Sequence, residues 1–258
     1  MSLIDRVVPK PVIVYPCFAR ELFVGGQRVR WLRVAKGLVP MKSVYLLTIF
    51  ALACSSEPAA AQVSGGCAVP ASAAQGSPGC YLDAAVSVGR LPTQVFWHID
   101  SFATIEAAQA AATPTSYATK IFGTPYLQTI NPQSSWRAKG GKHIATVGPL
   151  PVAKTGSDQT ARFMQAETTP AMKTTVHVHS GPEAWYVVEG GQCVETSEGV
   201  VKVSKGTSMW IKAGPPMQLN NGSAATRKAL VLVLHPTAEP WMMMDQEWQP
   251  KGLCSPAQ

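Results

Sequence analysis

From about residue 155 onward the chain runs in short apolar stretches, several of them alternating, separated by turn residues. Period-two alternation and apolar runs of strand length predict strands at 161–167, 172–179, 183–188, 192–196, 200–203, 207–211, 217–219 and 228–234. The breaks between them carry turn chemistry: Gly181 with Pro182, Gly190 with Gly191, Glu198 with Gly199, Lys205 with Gly206, Gly214 with two prolines, and Asn221 with Gly222. Eight short strands joined in this way predict a closed or double-sheet β structure. Residues 81–150 mix types. A strand is expected over 94–99, a helix over 104–112 stopped by Pro114, and further strands over 126–130 and 143–147, which makes a small α+β region.

Residues 1–61 do not continue either pattern. From Met41 the chain shows a short basic start, an apolar run from Val44 to Cys54 and small residues ending at Ala61, the layout of a signal peptide spanning 41–61. The apolar run is well short of the roughly 20 residues that a membrane-spanning helix needs, so no permanent span is expected. Cleavage is placed after Ala61, and residues 1–40 read as an upstream extension that is not native, with Met41 as the true start. Lipid anchoring at Cys54 is the less favoured reading, because Ala51 stands where such sites usually carry Leu. The expected location is therefore periplasmic or secreted.

This organisation changes the charge picture. The formal charge of +7 falls to +2 once residues 1–61 are set aside, leaving 14 Lys and Arg against 12 Asp and Glu. A near-neutral chain with no basic run among aromatics excludes a nucleic-acid patch. Four cysteines then remain, Cys67, Cys80, Cys193 and Cys254, which allow three pairings. In an exported chain, a local Cys67–Cys80 bridge would restrain the Gly-, Ala- and Ser-rich linker at 62–80, and Cys193 with Cys254 would pin the tail; four free buried thiols are the alternative.

The candidate chemistry sits at His177, His179 and Glu183. Residues two apart on a strand point to one face, so both imidazoles can address one point, and the turn at Ser180-Gly181-Pro182 returns Glu183 to it. That pattern predicts a metal site. Trp185 and Val187 share the strand face of Glu183 and are candidate cavity walls, as is Leu219, which shares a face with Met217. His98 with Asp100, His143 and His235 read as structural polar residues, and the apolar run 241–244 reads as a tail covering a barrel edge.

Residues 155–240 resemble the cupin superfamily. His177, His179, Glu183 and Gly190 match the four positions of its first motif, with Ala171 where a glycine is usual. Gly206, Gly214 and Asn221 fit the second motif, but Lys212 replaces its usual Pro, and Met217 stands at the position of the fourth ligand, usually His. The resemblance implies a mainly β fold: a C-terminal cupin barrel of the double-stranded β-helix or jelly-roll type over 155–250, tail included, preceded by the small α+β region. It also implies one divalent transition metal (Fe, Mn, Zn or Cu), a small-molecule ligand and a homodimer. With Met217, a soft thioether, two readings stand. Either three ligands hold a metal with open positions, as a metal-dependent oxidoreductase or isomerase of dioxygenase or isomerase type acting on a small oxygenated organic molecule, or the site is degenerate and the protein binds or senses a ligand without turnover.

Overall fold

A computed structural model describes residues 22–24, 27–29, 62–63, 67–74, 76–170 and 172–254. The upstream extension, the signal peptide and Cys54 lie outside the described residues, apart from a hairpin of β1 (Leu22–Val24) and β2 (Gln27–Val29) within a separate compact unit, Met1–Ser55. Among the described residues no helix is long and apolar enough to cross a membrane.

The second unit is mainly β. Its elements in order are β3 (Gln62–Val63), β4 (Gly79–Arg90), β5 (Gln94–Ser101), α1 (Ile105–Ala110), β6 (Ser116–Ile121), β7 (Thr124–Asn131), β8 (Lys142–Pro151), β9 (Asp158–Thr168) and β10 (Lys173–Thr174). There follow β11 (His177–His179), β12 (Glu183–Glu189), β13 (Gly191–Thr196), β14 (Gly199–Ser204), β15 (Ser208–Ile211), β16 (Met217–Asn221), β17 (Arg227–Pro236) and β18 (Met242–Met244). They form three sheets. One runs β14-β13-β16-β10-β3, with β11 pairing both β16 and β18; a second runs β15-β12-β17-β9-β4; a third runs β6-β7-β5-β8.

The first two sheets close on a shared core, in which Met164, Trp185, Ala229 and Val231 of one meet Val194, Met217 and Leu219 of the other. The third sheet covers the outer face of the second: Trp97, Ile99, Ile130 and Leu150 pack with Phe163, Leu230, Leu232 and Leu234. β17 is thus buried on both faces. That accounts for its unbroken apolar sequence, which sends Ala229, Val231 and Val233 to the barrel and the leucines to the outer layer. β4 lies ahead of the stretch that carries the motifs, yet it pairs with β9 from Gly79 to Arg90 and completes the barrel sheet.

Two elements differ from the periodicity. The predicted helix 104–112 is shorter, Ile105–Ala110, because Thr104 is its cap, the hydroxyl accepting from the Ala107 N–H at 3.2 Å. The predicted strand 172–179 is broken at Thr175 and Val176 into β10 and β11. Side chains replace the ladder there, with the Leu219 N–H donating to Thr174 Oγ1 and Gln218 Nε2 donating to the Thr174 carbonyl, both at 3.0 Å. Disulfides join Cys67 to Cys80 and Cys193 to Cys254.

Candidate metal centre

The break at Thr175 is what aims the first imidazole. Its carbonyl is free of the strand ladder and lies 2.8 Å from His177 Nδ1. A carbonyl can only accept, so Nδ1 carries the proton and Nε2 is left to face the cavity. His179 is held the same way by the Trp241 carbonyl, also at 2.8 Å, which β18 delivers by pairing with β11 from Met242 to Met244. Such carbonyl partners fix the tautomer and orientation of metal-binding imidazoles. The turn that returns Glu183 requires glycine at 181, where a Cβ would fall 1.7 Å from the Leu234 carbonyl oxygen. Gly190 closes β12 at φ +74°, in the left-handed region that favours glycine.

The three side chains are buried and their ligand atoms lie within 4.8 Å of one another. Glu183 Oε2 is 2.9 Å from His179 Nε2 and 3.9 Å from His177 Nε2. Neither Oε2 nor His179 Nε2 has a hydrogen-bond partner outside the trio. Burial alone would raise the Glu183 pKa, but the fields of His179 and His177 bring it down to about 2. Burial would likewise lower that of His177; the Glu183 carboxylate and the Thr175 carbonyl outweigh it and raise it. Once the imidazoles give up any proton they share with the carboxylate, a carboxylate and two lone-pair nitrogens converge on one dry point, an arrangement that a bound cation stabilises. Two His and one carboxylate suit Fe, Mn, Zn or Cu, and three protein ligands leave coordination positions free.

Met217 is fully buried and lies directly opposite His177 in the β11–β16 register, so both side chains share the inner face. It packs in the barrel core with Trp185 and Val194. Met217→His would place a third imidazole, and a fourth ligand, on that face, and Zn(II) affinity is expected to rise at least about tenfold in a chelator competition. Unchanged affinity would show that residue 217 does not reach the ligands.

A small cavity of about 40 Å³ opens on the three ligands. Trp185 and Leu219 line it; Val187 is buried but not on its wall. The alternation missed several of its residues: Thr168, Thr174, Thr175, Arg227, Trp241 and the Cys67–Cys80 bridge. At its rim the Trp241 ring stacks on His179 at 5.5 Å, and the Arg162 guanidinium lies 4.6 Å over the same ring.

The other histidines do not join this group. His98 and His143 belong to the third sheet, where Thr146 Oγ1 lies 3.2 Å from His98 Nδ1 and 3.0 Å from His143 Nε2, and His143 Nδ1 lies 3.0 Å from Asp100 Oδ1. Burial pushes the His98 pKa down to about 4, keeping the ring neutral. His235 Nδ1 donates to the Pro236 carbonyl at the end of β17.

No protein-family model and no curated protein matches the sequence. Among solved structures, the DMSP lyase DddQ from Ruegeria pomeroyi DSS-3 is 14% identical, with 34% of this chain and 45% of that chain covered and a TM-score of 0.31. A protein with a double-stranded β-helix domain from Klebsiella pneumoniae is 14% identical, with 39% and 80% covered and a TM-score of 0.30. A cupin superfamily protein from Desulfitobacterium hafniense DCB-2 is 8% identical, with 32% and 72% covered and a TM-score of 0.27. The chain spans less than half the length of the DMSP lyases it matches, 44% and 45%. At these TM-scores the likenesses carry no argument about activity, and the fold is read from the chain itself. Two facing sheets, antiparallel except for the β3–β10 pair, with His177, His179 and Glu183 converging inside them make the C-terminal part of this chain a double-stranded β-helix barrel, the fold that the sequence resemblance implies.

Proposed function

We propose that this is an exported protein whose cupin-type barrel holds one divalent transition metal through His177, His179 and Glu183 and acts on a small oxygenated organic molecule. The observation that carries the reading is the convergence of three buried ligand atoms within 4.8 Å, in which His179 Nε2 and Glu183 Oε2 approach to 2.9 Å and have no partner outside the trio. A metal bound there would supply Lewis-acid or dioxygen chemistry. The chain's own contribution is to orient both imidazoles through the Thr175 and Trp241 carbonyls and to keep the site dry behind Trp185, Leu219, Val231 and Trp241. Export is supported by the leader pattern at 41–61 and by two disulfides, which suit an oxidising compartment.

The test is metal content. Protein secreted without a His tag and isolated without chelator is expected to carry about one transition metal per chain by elemental analysis. A content near zero that added Mn(II), Fe(II) or Zn(II) does not restore would defeat the reading. Retained metal with no turnover on dioxygenase and isomerase substrate panels would assign the barrel to ligand binding alone. The homodimer that the resemblance implies is read from sedimentation of the same sample.

A further inference from the structure

Arg227 is a cation sealed inside the barrel. It is 3% exposed, opens β17 on the inward face, and lines the same cavity as the three candidate ligands. Among the described residues no carboxylate forms an ion pair with it. Its NH1 donates to the neutral Gln192 Oε1, and its Nε is buried with no partner among the described residues. Directly opposite in the β17–β9 register stands Thr168, whose Oγ1 is also buried, unpartnered and on the cavity wall. Two orphaned donors thus adjoin one small space. Burial lowers the Arg227 pKa to about 10, with Glu183 opposing, so the group is still charged at neutral pH.

Burying such a charge without a counter-ion is costly, and so is leaving buried N–H and O–H groups unmet. Among the described residues of the cavity wall the acidic one is Glu183, and it is already committed to two imidazoles. A divalent metal at the ligands would add two further positive charges. The balance is restored by an anion that accepts from Arg227 and Thr168.

We infer that Arg227 and Thr168 form an anion subsite, so that the ligand of this barrel is a small carboxylate or equivalent oxyanion rather than a neutral alcohol, aldehyde or amide. The inference deepens the metal-centre reading and shares its cavity, but the two orphaned donors are present whether or not a metal binds. A cavity of about 40 Å³ limits the ligand to a few heavy atoms. Arg provides the two-pronged donor geometry that a carboxylate matches.

The probes are acetate and its neutral counterpart acetamide, titrated by NMR into the full-length exported protein, both metal-free and loaded with Zn(II). Acetate is expected to bind wild type at least about tenfold more tightly than acetamide in both forms. Arg227→Met should abolish that preference, Arg227→Lys should keep part of it, and Thr168→Val should weaken acetate without affecting acetamide. Equal binding of the two probes by wild type would overturn the assignment, as would an acetate affinity unchanged in Arg227→Met. Should Arg227→Met fail to fold, the wild-type comparison and Thr168→Val decide. If Zn(II) does not bind but the preference holds, the metal reading fails and the anion subsite stands; if Zn(II) binds and the preference is absent, the reverse follows.

Discussion

His177→Ala and His179→Ala are each expected to lower transition-metal affinity by more than about 100-fold, beyond the roughly 10- to 100-fold that follows from disturbing an outer partner of a ligand. The reason is geometric. Each imidazole has its Nδ1 proton committed to a carbonyl, so its Nε2 faces the cavity, and among the described residues no further His or free Cys joins the group. Glu183→Gln should do the same by removing the charge while keeping the shape. Trp241→Ala is the control, because it removes the ring that stacks on His179 but leaves the carbonyl that orients it. Its effect should be under about tenfold. Affinity should also rise with pH. Glu183 holds His177 above its usual pKa, so the imidazole keeps a proton to higher pH than a free one does, and that proton must leave before a metal can bind. Equilibrium dialysis across pH measures both effects. Metal retained at wild-type affinity in both His variants would end the metal hypothesis.

Much of this site is legible in the sequence, since convergence of His177, His179 and Glu183 needs only the two-residue period of a strand and a turn containing glycine. What orients them is not. The Thr175 and Trp241 partners are backbone carbonyls, and any residue supplies one. Their position depends on a strand break and on β18, whose pairing with β11 spans more than sixty residues of chain. Arg227 was legible in principle, because it continues the inward alternation of Ala229, Val231 and Val233. A strand predicted to start at residue 228 stops one position short of it.

The fold divides in the same manner. Strands of the barrel with clear turns stand out, whereas β4 does not, because Asp83 and two alanines interrupt its apolar residues and break the alternation, and it is placed by pairing with β9. The continuous apolar run of β17 holds the information that the barrel sheet is covered on its outer face, since a strand facing water would alternate. The tail follows a related logic. Glu195, buried on β13, accepts from the N–H groups of Lys251 and Leu253, and the adjacent Cys193 bonds to Cys254. Docking the tail on β13 in this way also anchors the segment that presents Trp241 to His179.

Asp83→Asn is expected to make the protein more stable above neutral pH and to remove a large part of its loss of stability between pH 4 and 7. Asp83 is the residue at which the β4–β9 register shifts, and it sits where the inserted sheet meets the barrel. Its backbone carbonyl accepts from the Tyr117 hydroxyl at 3.1 Å, and its Oδ1 accepts from Gln165 Nε2 at 2.8 Å, but Oδ2 is buried without a partner. Burial raises its pKa from 3.8 to about 7, with Gln165 opposing. A carboxyl whose folded pKa is raised is neutral in both states below pH 3.8, so it has no effect there. Between 3.8 and about 7 the unfolded chain ionises first, and folding stability falls as pH rises. Above 7 the loss is complete, on the order of 4 kcal/mol as an upper figure. Asparagine keeps the acceptor for Gln165 and carries no charge, so it avoids this loss. His98 works in the opposite direction, because its lowered pKa adds stability as pH rises from about 4 through the range where the unfolded imidazole titrates. His177, raised by Glu183, loses stability at higher pH in the metal-free protein. The measurement is therefore the difference between wild type and Asp83→Asn, in which both histidine contributions cancel: urea midpoints of the disulfide-intact protein at pH 5, 6.5 and 8. A difference that grows with pH and levels off above 7 identifies Asp83 as the source; a difference that stays constant over this range shows that its carboxyl is already ionised at pH 5 in the folded protein.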